Sequence, residues 1–345
     1  MNKSVVKFAI IGCGMISNWH AQAVNEIKDA ELVGVTDVYE PARIAFAEKY
    51  GVRAFESVEE LLAEPEIDVV CICTPSGLHA PLAISCANAG KSIVVEKPMA
   101  ITREEVAGIL EACERNHVKM SVISQMRFAP GIQAAKKAVE DGVMGKIVVA
   151  DLSMKFFRSQ EYYDKGGWRG TWKMDGGGAL MNQGIHGIDM LQYIMNSPVK
   201  AVSAMTRTLV RNIEVEDTAV AILEFENGAL GQIVGTTSVT PGYARTIEIC
   251  GDKGSIMLEE DTIVKWDIEG VPAPDCFCPE GKEGNGSASD PSAFSIQGHV
   301  NQLTDMVDAV KNDRMPMINQ FDGAKPVEII LSIYESSKGG KVIEM

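Results

Sequence analysis

Gly12-Cys13-Gly14-Met15-Ile16-Ser17 has the spacing Gly-x-Gly-x-x-small. The first glycine permits a tight turn, and the second lets backbone approach a pyrophosphate. Ser17 is small enough for a helix to pack closely on a strand. Gly12, Gly14, Met15 and Ile16 are therefore expected to hold a dinucleotide. Asp37 follows Ser17 by twenty positions, where a carboxylate accepts ribose hydroxyl hydrogen bonds and repels a 2′-phosphate. The cofactor expected is NAD, with NADP left open. The competing reading is a structural turn, with Asp37 a mere strand end. Arg43 reads as a solvated helix arginine rather than a partner for adenine or a 2′-phosphate.

Glu96-Lys97-Pro98 places a lysine directly after a buried strand, with proline fixing the chain behind it. Burial and neighbouring charge can tune such an ammonium; otherwise it is a surface lysine at a strand exit. Thr74-Pro75-Ser76 ends the preceding strand at the same sheet edge, so Thr74, Pro75, Glu96 and Lys97 are expected beside the cofactor, and His79 follows as a cofactor contact or a helix-cap histidine. Far along the chain, Asp175-Gly176-Gly177-Gly178 feeds a helix carrying Asn182, His186 and Asp189 at three- and four-residue spacing, one face. His186 is the best general acid/base among five histidines, with a satisfied core histidine as the alternative. Arg127, Tyr163, Trp168, Arg169 and Trp172 lie in segments expected to border a substrate. Aromatic faces and guanidinium forks suit sugar rings and anionic groups, and packing is the alternative for each. No metal site is expected, because Cys276-x-Cys278 lacks the Cys-x-x-Cys spacing.

The elements that must position these residues read as strands alternating with helices up to about residue 125. Val5–Ile11, Glu31–Asp37, Val69–Cys73, Ser92–Val95 and Lys119–Ser124 are apolar runs, as strands buried on both faces must be. Ser57 and Thr102 each open a Ser/Thr-x-x-Glu capping box. This pattern predicts a doubly wound α/β domain with a parallel sheet over residues 1–125. From Lys146 onward β-branched runs with short turns predict a large, mostly antiparallel sheet in an α+β domain over 126–345. That sheet is interrupted by a helix from Ala179 to Met195, and the C-terminal helix, near Pro326–Ser336, is expected to pack back toward the first domain. Pro279–Asp290, rich in Gly, Ser and charge, reads as a mobile surface loop.

The 345 residues suit two domains, and the formal charge of −15 argues against nucleic acid and anionic membrane as partners. No apolar run is long enough to span a bilayer. With no signal-peptide pattern at the start and eight cysteines in uninformative positions, free thiols in a reducing cytoplasm are expected.

The Gly-x-Gly-x-x-Ser loop, Thr74-Pro75, Glu96-Lys97-Pro98 and Gly-Gly-Gly before the His186 helix, followed by a large sheet, together resemble the Gfo/Idh/MocA oxidoreductases. The likeness covers essentially the whole chain. It implies hydride transfer between nicotinamide and a carbinol carbon of a sugar, cyclitol or related polyol, with Lys97 and His186 as the catalytic pair. His186 would take the hydroxyl proton and Lys97 stabilise the developing alkoxide; the reverse assignment stays open. The resemblance also implies a homodimer or homotetramer through the second-domain sheet. One departure is Asn182, where inositol dehydrogenase-like members carry Asp one turn before the histidine; Asp175 or Asp189 would have to compensate. Two other functions compete: a glycosidase using NAD transiently, and a cofactor-sensing regulator that lost the chemistry. Which sugar is used, and in which direction, the sequence leaves open.

Overall fold

The computed structural model describes residues 4–281 and 295–345. The chain divides into two compact units, Met1–Gln125 with Ser295–Ala324 and Met126–Phe294 with Lys325–Met345. A single break near residue 125 would have left Ser295–Ala324 in the second unit; it belongs to the first. From residue 282 on, the expected loop to Asp290 lies outside the described residues.

The first unit is built on β1 (Val6–Ile11), β2 (Ala30–Thr36), β3 (Arg53–Ala54), β4 (Val69–Ile72), β5 (Ser92–Val95) and β6 (Met120–Val122). They form one parallel sheet in the order β3-β2-β1-β4-β5-β6. The order reverses beside β1, so a crevice opens at the carboxyl ends of β1 and β4. Every residue of β4 is buried, as helices on both faces require. Those helices are α1 (Ser17–Glu26), α2 (Glu40–Tyr50), α3 (Val58–Ala63), α4 (His79–Asn88) and α5 (Arg103–Asn116). Both helix starts read from sequence open α3 and α5: Ser57 accepts from Glu60 N–H, and Thr102 and Glu105 form a full capping box, whereas the Glu60 carboxylate turns to Glu56 N–H instead.

In the second unit α6 (Pro130–Glu140), α7 (Gln160–Asp164) and α8 (Ile185–Met195) accompany eight strands. These are β7 (Ile147–Lys155), β8 (Val199–Arg207), β9 (Thr218–Phe225), β10 (Leu230–Thr236), β11 (Thr246–Gly251), β12 (Gly254–Glu259), β13 (Thr262–Ile268) and β14 (Ile343–Glu344). Their order is β13-β12-β11-β7-β10-β9-β8-β14. Only β7 and β10 run parallel among the pairs of this sheet.

Two late helices complete the fold, α9 (Gln297–Lys311) and α10 (Gln320–Gly339). The apolar stripe Leu303, Met306 and Val307 of α9 packs into the core formed by Val6, Phe8, Ile10 and Val24, which is why this segment sits with the first unit. Helix α10 begins six residues before the expected Pro326. Asn319 supplies its start, its side-chain oxygen accepting from Phe321 and Asp322 N–H.

Gln302, fully buried on α9, closes the edge of the parallel sheet. Its oxygen accepts from Ser124 N–H at 3.1 Å, and its amide donates to Ser121 Oγ at 3.0 Å and Val122 O at 2.7 Å. Gln302→Ala would leave buried polar groups unpaired and should destabilise the protein by about 2–4 kcal/mol, read as a fall in the urea midpoint. A change below about 0.5 kcal/mol would show that the edge is held by other means.

Candidate active site

The Gly12–Ser17 loop leaves β1 and enters α1 as a dinucleotide turn must. Gly12 has φ +97° and a side chain there would strike Cys73 O of the neighbouring strand end. Gly14 is exposed, with open space where its side chain would be. No side chain caps α1, and a helix N-terminus that opens directly after a glycine turn is the kind of end that receives a phosphate. Thr74 Oγ1, at the end of β4, is buried without a hydrogen-bond partner, a polar group suited to a bound polar ligand. These features fit a dinucleotide.

Asp37 does more than expected. Its Oδ2 accepts from Cys13 N–H and its Oδ1 from Tyr39 N–H, both at 2.7 Å. The carboxylate thereby ties the glycine loop to the end of β2, and each oxygen keeps a lone pair for a ribose hydroxyl. Arg43 is not a solvated arginine: its side chain is mostly buried and donates to Asp37 O and Glu56 O.

Glu96 and His79, expected to touch the cofactor, are turned inward. Glu96 is buried and its Oε1 takes a hydrogen bond from His20 Nε2 at 2.9 Å. Its Oε2 accepts from Lys97 N–H at 3.2 Å. The His79 ring, 1% exposed, directs Nε2 to Thr74 O at 2.8 Å and Nδ1 to Pro98 O at 2.6 Å. Burial holds this imidazole below its ordinary range, against the pull of those two carbonyls and Glu96. His79 thus ties the loop after β4 to the loop after β5, and Lys97, half-buried, lies between two anchored residues.

In the second unit the glycine run is clamped from two sides. Side chains at Gly177 and Gly178 would strike Tyr334 Oη and Glu216 O. The Glu216 carboxylate accepts from Gly178 and Leu180 N–H and from Tyr334 Oη–H, each at 2.9 Å. Ala179–Gly184 is a turn of π-helix, after which α8 begins. Such wide turns concentrate at functional sites. This turn also breaks the expected single face. Asn182 and Asp189 point to different partners.

Asn182 Nδ2 donates to Asp175 Oδ1 at 2.6 Å, and its Oδ1 accepts from Gln183 Nε2 at 2.8 Å. Asp175 also accepts from Gly170 N–H at 2.8 Å. A carboxylate thus stands one hydrogen bond behind the amide. Asp189 instead forms a bidentate pair with Arg127 at 2.8 and 2.6 Å, both side chains buried, and Arg127 lies over the Tyr193 ring. That pairing ties the Arg127 side chain to α8 within the second unit. Tyr163 is likewise committed, buried with its hydroxyl 2.7 Å from Thr237 Oγ1. His186 opens α8 and is 9% exposed. Arg169 lies over the rings of Tyr162 and Trp168. Trp172 is exposed and meets Tyr334 edge-on.

Reasoning from sequence missed His20, Arg158, Gln183, Glu216, His299 and Tyr334. His20 had a signal: with Ser17, Ala21 and Val24 it lies on the buried stripe of α1, a polar residue where an apolar one is expected. Glu216 had none, its partners being amides brought to it by the fold. No disulfide joins any of the eight cysteines, and no helix among the described residues is long and apolar enough to cross a membrane.

Comparison with known proteins places this geometry. Residues 6–124 match a model for the oxidoreductase family, NAD-binding Rossmann fold, and residues 132–257 one for the GFO/IDH/MocA C-terminal domain. The chain is 32% identical over 274 residues to myo-inositol 2-dehydrogenase of Thermotoga maritima, covering 77% of this chain and 79% of that protein. It is 30% identical over 269 residues to inositol 2-dehydrogenase of Rhizobium meliloti, covering 76% and 78%. The WlbA dehydrogenase of Bordetella pertussis, solved with NADH and UDP-GlcNAcA, superposes with a TM-score of 0.90 at 33% identity, covering 100% of this chain and 99% of that one.

Burial pushes the Glu216 carboxyl up to about 7, against the hydrogen bonds it accepts from Leu180 N–H, Tyr334 and Gly178 N–H. In the unfolded chain it titrates near 4.5, so between these values the folded state binds the extra proton. Stability from this group is full below pH 4.5 and is lost as pH rises toward 7. Glu216→Gln cannot titrate. The stability of wild type relative to this variant should therefore fall by up to ~3 kcal/mol across that range, as measured by denaturant titration at a series of pH values. A constant difference would disprove the titration.

Proposed function

The chain belongs to the Gfo/Idh/MocA family of NAD-binding oxidoreductases, and on that premise we propose that it oxidises a carbinol carbon of a sugar derivative, with Lys97 and His186 as the catalytic pair. The observation carrying this reading is Lys97 at the end of β5, on the sheet edge that also bears the Gly12–Ile16 turn and Asp37. Bound NAD supplies the hydride acceptor. As His186 takes the hydroxyl proton, negative charge builds on oxygen, where the Lys97 ammonium hydrogen-bonds it, and that charge is relieved as hydride leaves carbon and the carbonyl forms. Asn182 orients through the Asp175 carboxylate, which restores one bond away the charge an aspartate at 182 would carry.

The substrate class we favour is an acidic, nucleotide-linked sugar. The Bordetella dehydrogenase, solved with UDP-GlcNAcA, matches the whole chain at 33% identity. In a protein of net charge −15, Arg158, Arg169 and Arg211 lie on two loops of the second unit bonded to each other through Gln160 and Asn212. Arg158 donates to Gln183, next to Asn182, and the Nε of Arg169 and of Arg211 has no partner. Guanidinium groups so placed suit a carboxylate or phosphate. Asp37 favours NAD over NADP.

A panel of inositols, aldoses, glycosides and UDP-linked uronic acids, assayed at 340 nm with NAD and NADP, tests this. We expect NADH formation with a UDP-uronate and a preference for NAD of about tenfold or more. Lys97→Ala and His186→Ala should each lower kcat by about 100-fold or more. Near-wild-type turnover by either variant removes that residue from the chemistry, and sugar release with flat absorbance would favour the transient-NAD glycosidase.

We further propose that the outer face of the second sheet binds another copy of the chain. Met205, Val220, Ile222 and Leu230 stand exposed on adjacent strands β8, β9 and β10, with Met205 and Val220 directly paired. Exposed apolar stripes of this kind mark interaction surfaces. Ile222→Arg should shift the protein to monomer in sedimentation velocity; an unchanged oligomer, or a monomeric wild type, refutes this surface.

A further inference from the structure

Three of the chain's five histidines converge on one tripeptide. His20 on α1 bonds the Glu96 carboxylate, His299 on α9 stands with Nε2 3.8 Å from the same oxygen, and His79 bonds Pro98 O. All three rings are at most 2% exposed. The rings of His20 and His299 meet edge-on at 5.4 Å. Neither nitrogen of His299, nor Nδ1 of His20, makes a hydrogen bond.

Unpaired buried nitrogens cost stability, and a leucine or phenylalanine would fill the same space without that cost. Stability therefore does not account for the cluster. Its ligand atoms lie within 4.8 Å of one another, as metal ligands do. Metal-bound imidazoles, however, hold their second nitrogen on an orienting acceptor, and the Nδ1 atoms here have none. The cluster has one clear output. Glu96 Oε2 holds the Lys97 amide, while His79 fixes the carbonyl of Pro98 on its other side.

We propose that Glu96, His20, His299 and His79 are positioning residues that set the place of the Lys97 ammonium, locking the loop after β5 to α1, the helix that begins at the dinucleotide turn. This inference rests on the reading of Lys97 as catalytic. Burial opposes ionisation of Glu96, yet the hydrogen bond from His20 and the nearby His299 imidazole hold its carboxyl well below the usual range. Burial keeps His20 below the ordinary imidazole range, so a neutral ring donates its Nε2–H to a buried carboxylate. The other titratable groups facing Glu96 are Cys71 and Cys73 from β4 and His79 from α4. Both thiols are pushed up by burial and stay neutral.

Glu96→Gln and His299→Gln in the full chain, assayed with NAD and the substrate found active, test this. Each should lower kcat about tenfold or more while KM for NAD changes less than about threefold. The pH at which kcat/KM turns should move by about half a unit or more. The rate at which trinitrobenzenesulfonate labels Lys97, read by peptide mass spectrometry, should change about fivefold or more, with no substrate needed. If Glu96→Gln does not fold, His299→Gln carries the same measurements. A lowered melting temperature with unchanged kcat, pH profile and labelling would reduce the cluster to a structural role and overturn the proposal. One bound metal ion per chain in the purified protein would also overturn it. If Lys97→Ala itself keeps wild-type turnover, the reading of Lys97 has failed instead.

Discussion

A parallel sheet covered on both faces has no polar outlet except at its strand ends. In the first unit β1, β4 and β5 are mostly apolar and buried, and the residues with candidate chemistry follow their carboxyl ends and that of β2. The loops leaving that edge must satisfy their own polar groups, and they do so with each other. Asp37 bonds the glycine turn, His79 bonds the loops after β4 and β5, and Glu96 bonds the Lys97 amide. Cross-ties of this kind are what an active site needs to hold a reactive group in place.

The second unit solves a similar problem with glycine. A helix entry at Gly176–Gly178 leaves amides that need acceptors, and the buried Glu216 carboxylate takes two of them with Tyr334 behind it. Only glycine lets those groups come so close. The π-turn that follows separates Asn182 from Asp189, so one is held by Asp175 and the other neutralises Arg127.

What the sequence made legible were features with a local cause. The glycine turn, the two Ser/Thr helix caps and the apolar strands are each dictated by neighbours in the chain. Pairings across the chain were not legible. Arg127 and Asp189 are 62 residues apart and Glu96 and His20 are 76 apart, so the polar residue that each neutralises is a matter of topology. Arg127, Tyr163, Glu96 and His79 were expected to meet ligands because polar and aromatic types often do; the fold gave them buried partners instead. The short β3, β14 and α7 carry too few residues to show a period, and Pro326 drew the start of α10 past its true cap at Asn319.

In the proposed reaction a carbon–hydrogen bond of a sugar carbinol is broken toward the nicotinamide. Its most direct test is isotopic. The protein would be incubated with NAD and a UDP-uronate deuterated at its ring carbinol carbons, then denatured, and the reduced cofactor recovered and analysed by mass spectrometry. The expected product is NADH carrying one deuterium on its nicotinamide ring, whether the cofactor was released or still bound. Recovery of NAD alone, or of NADH without deuterium, would contradict it.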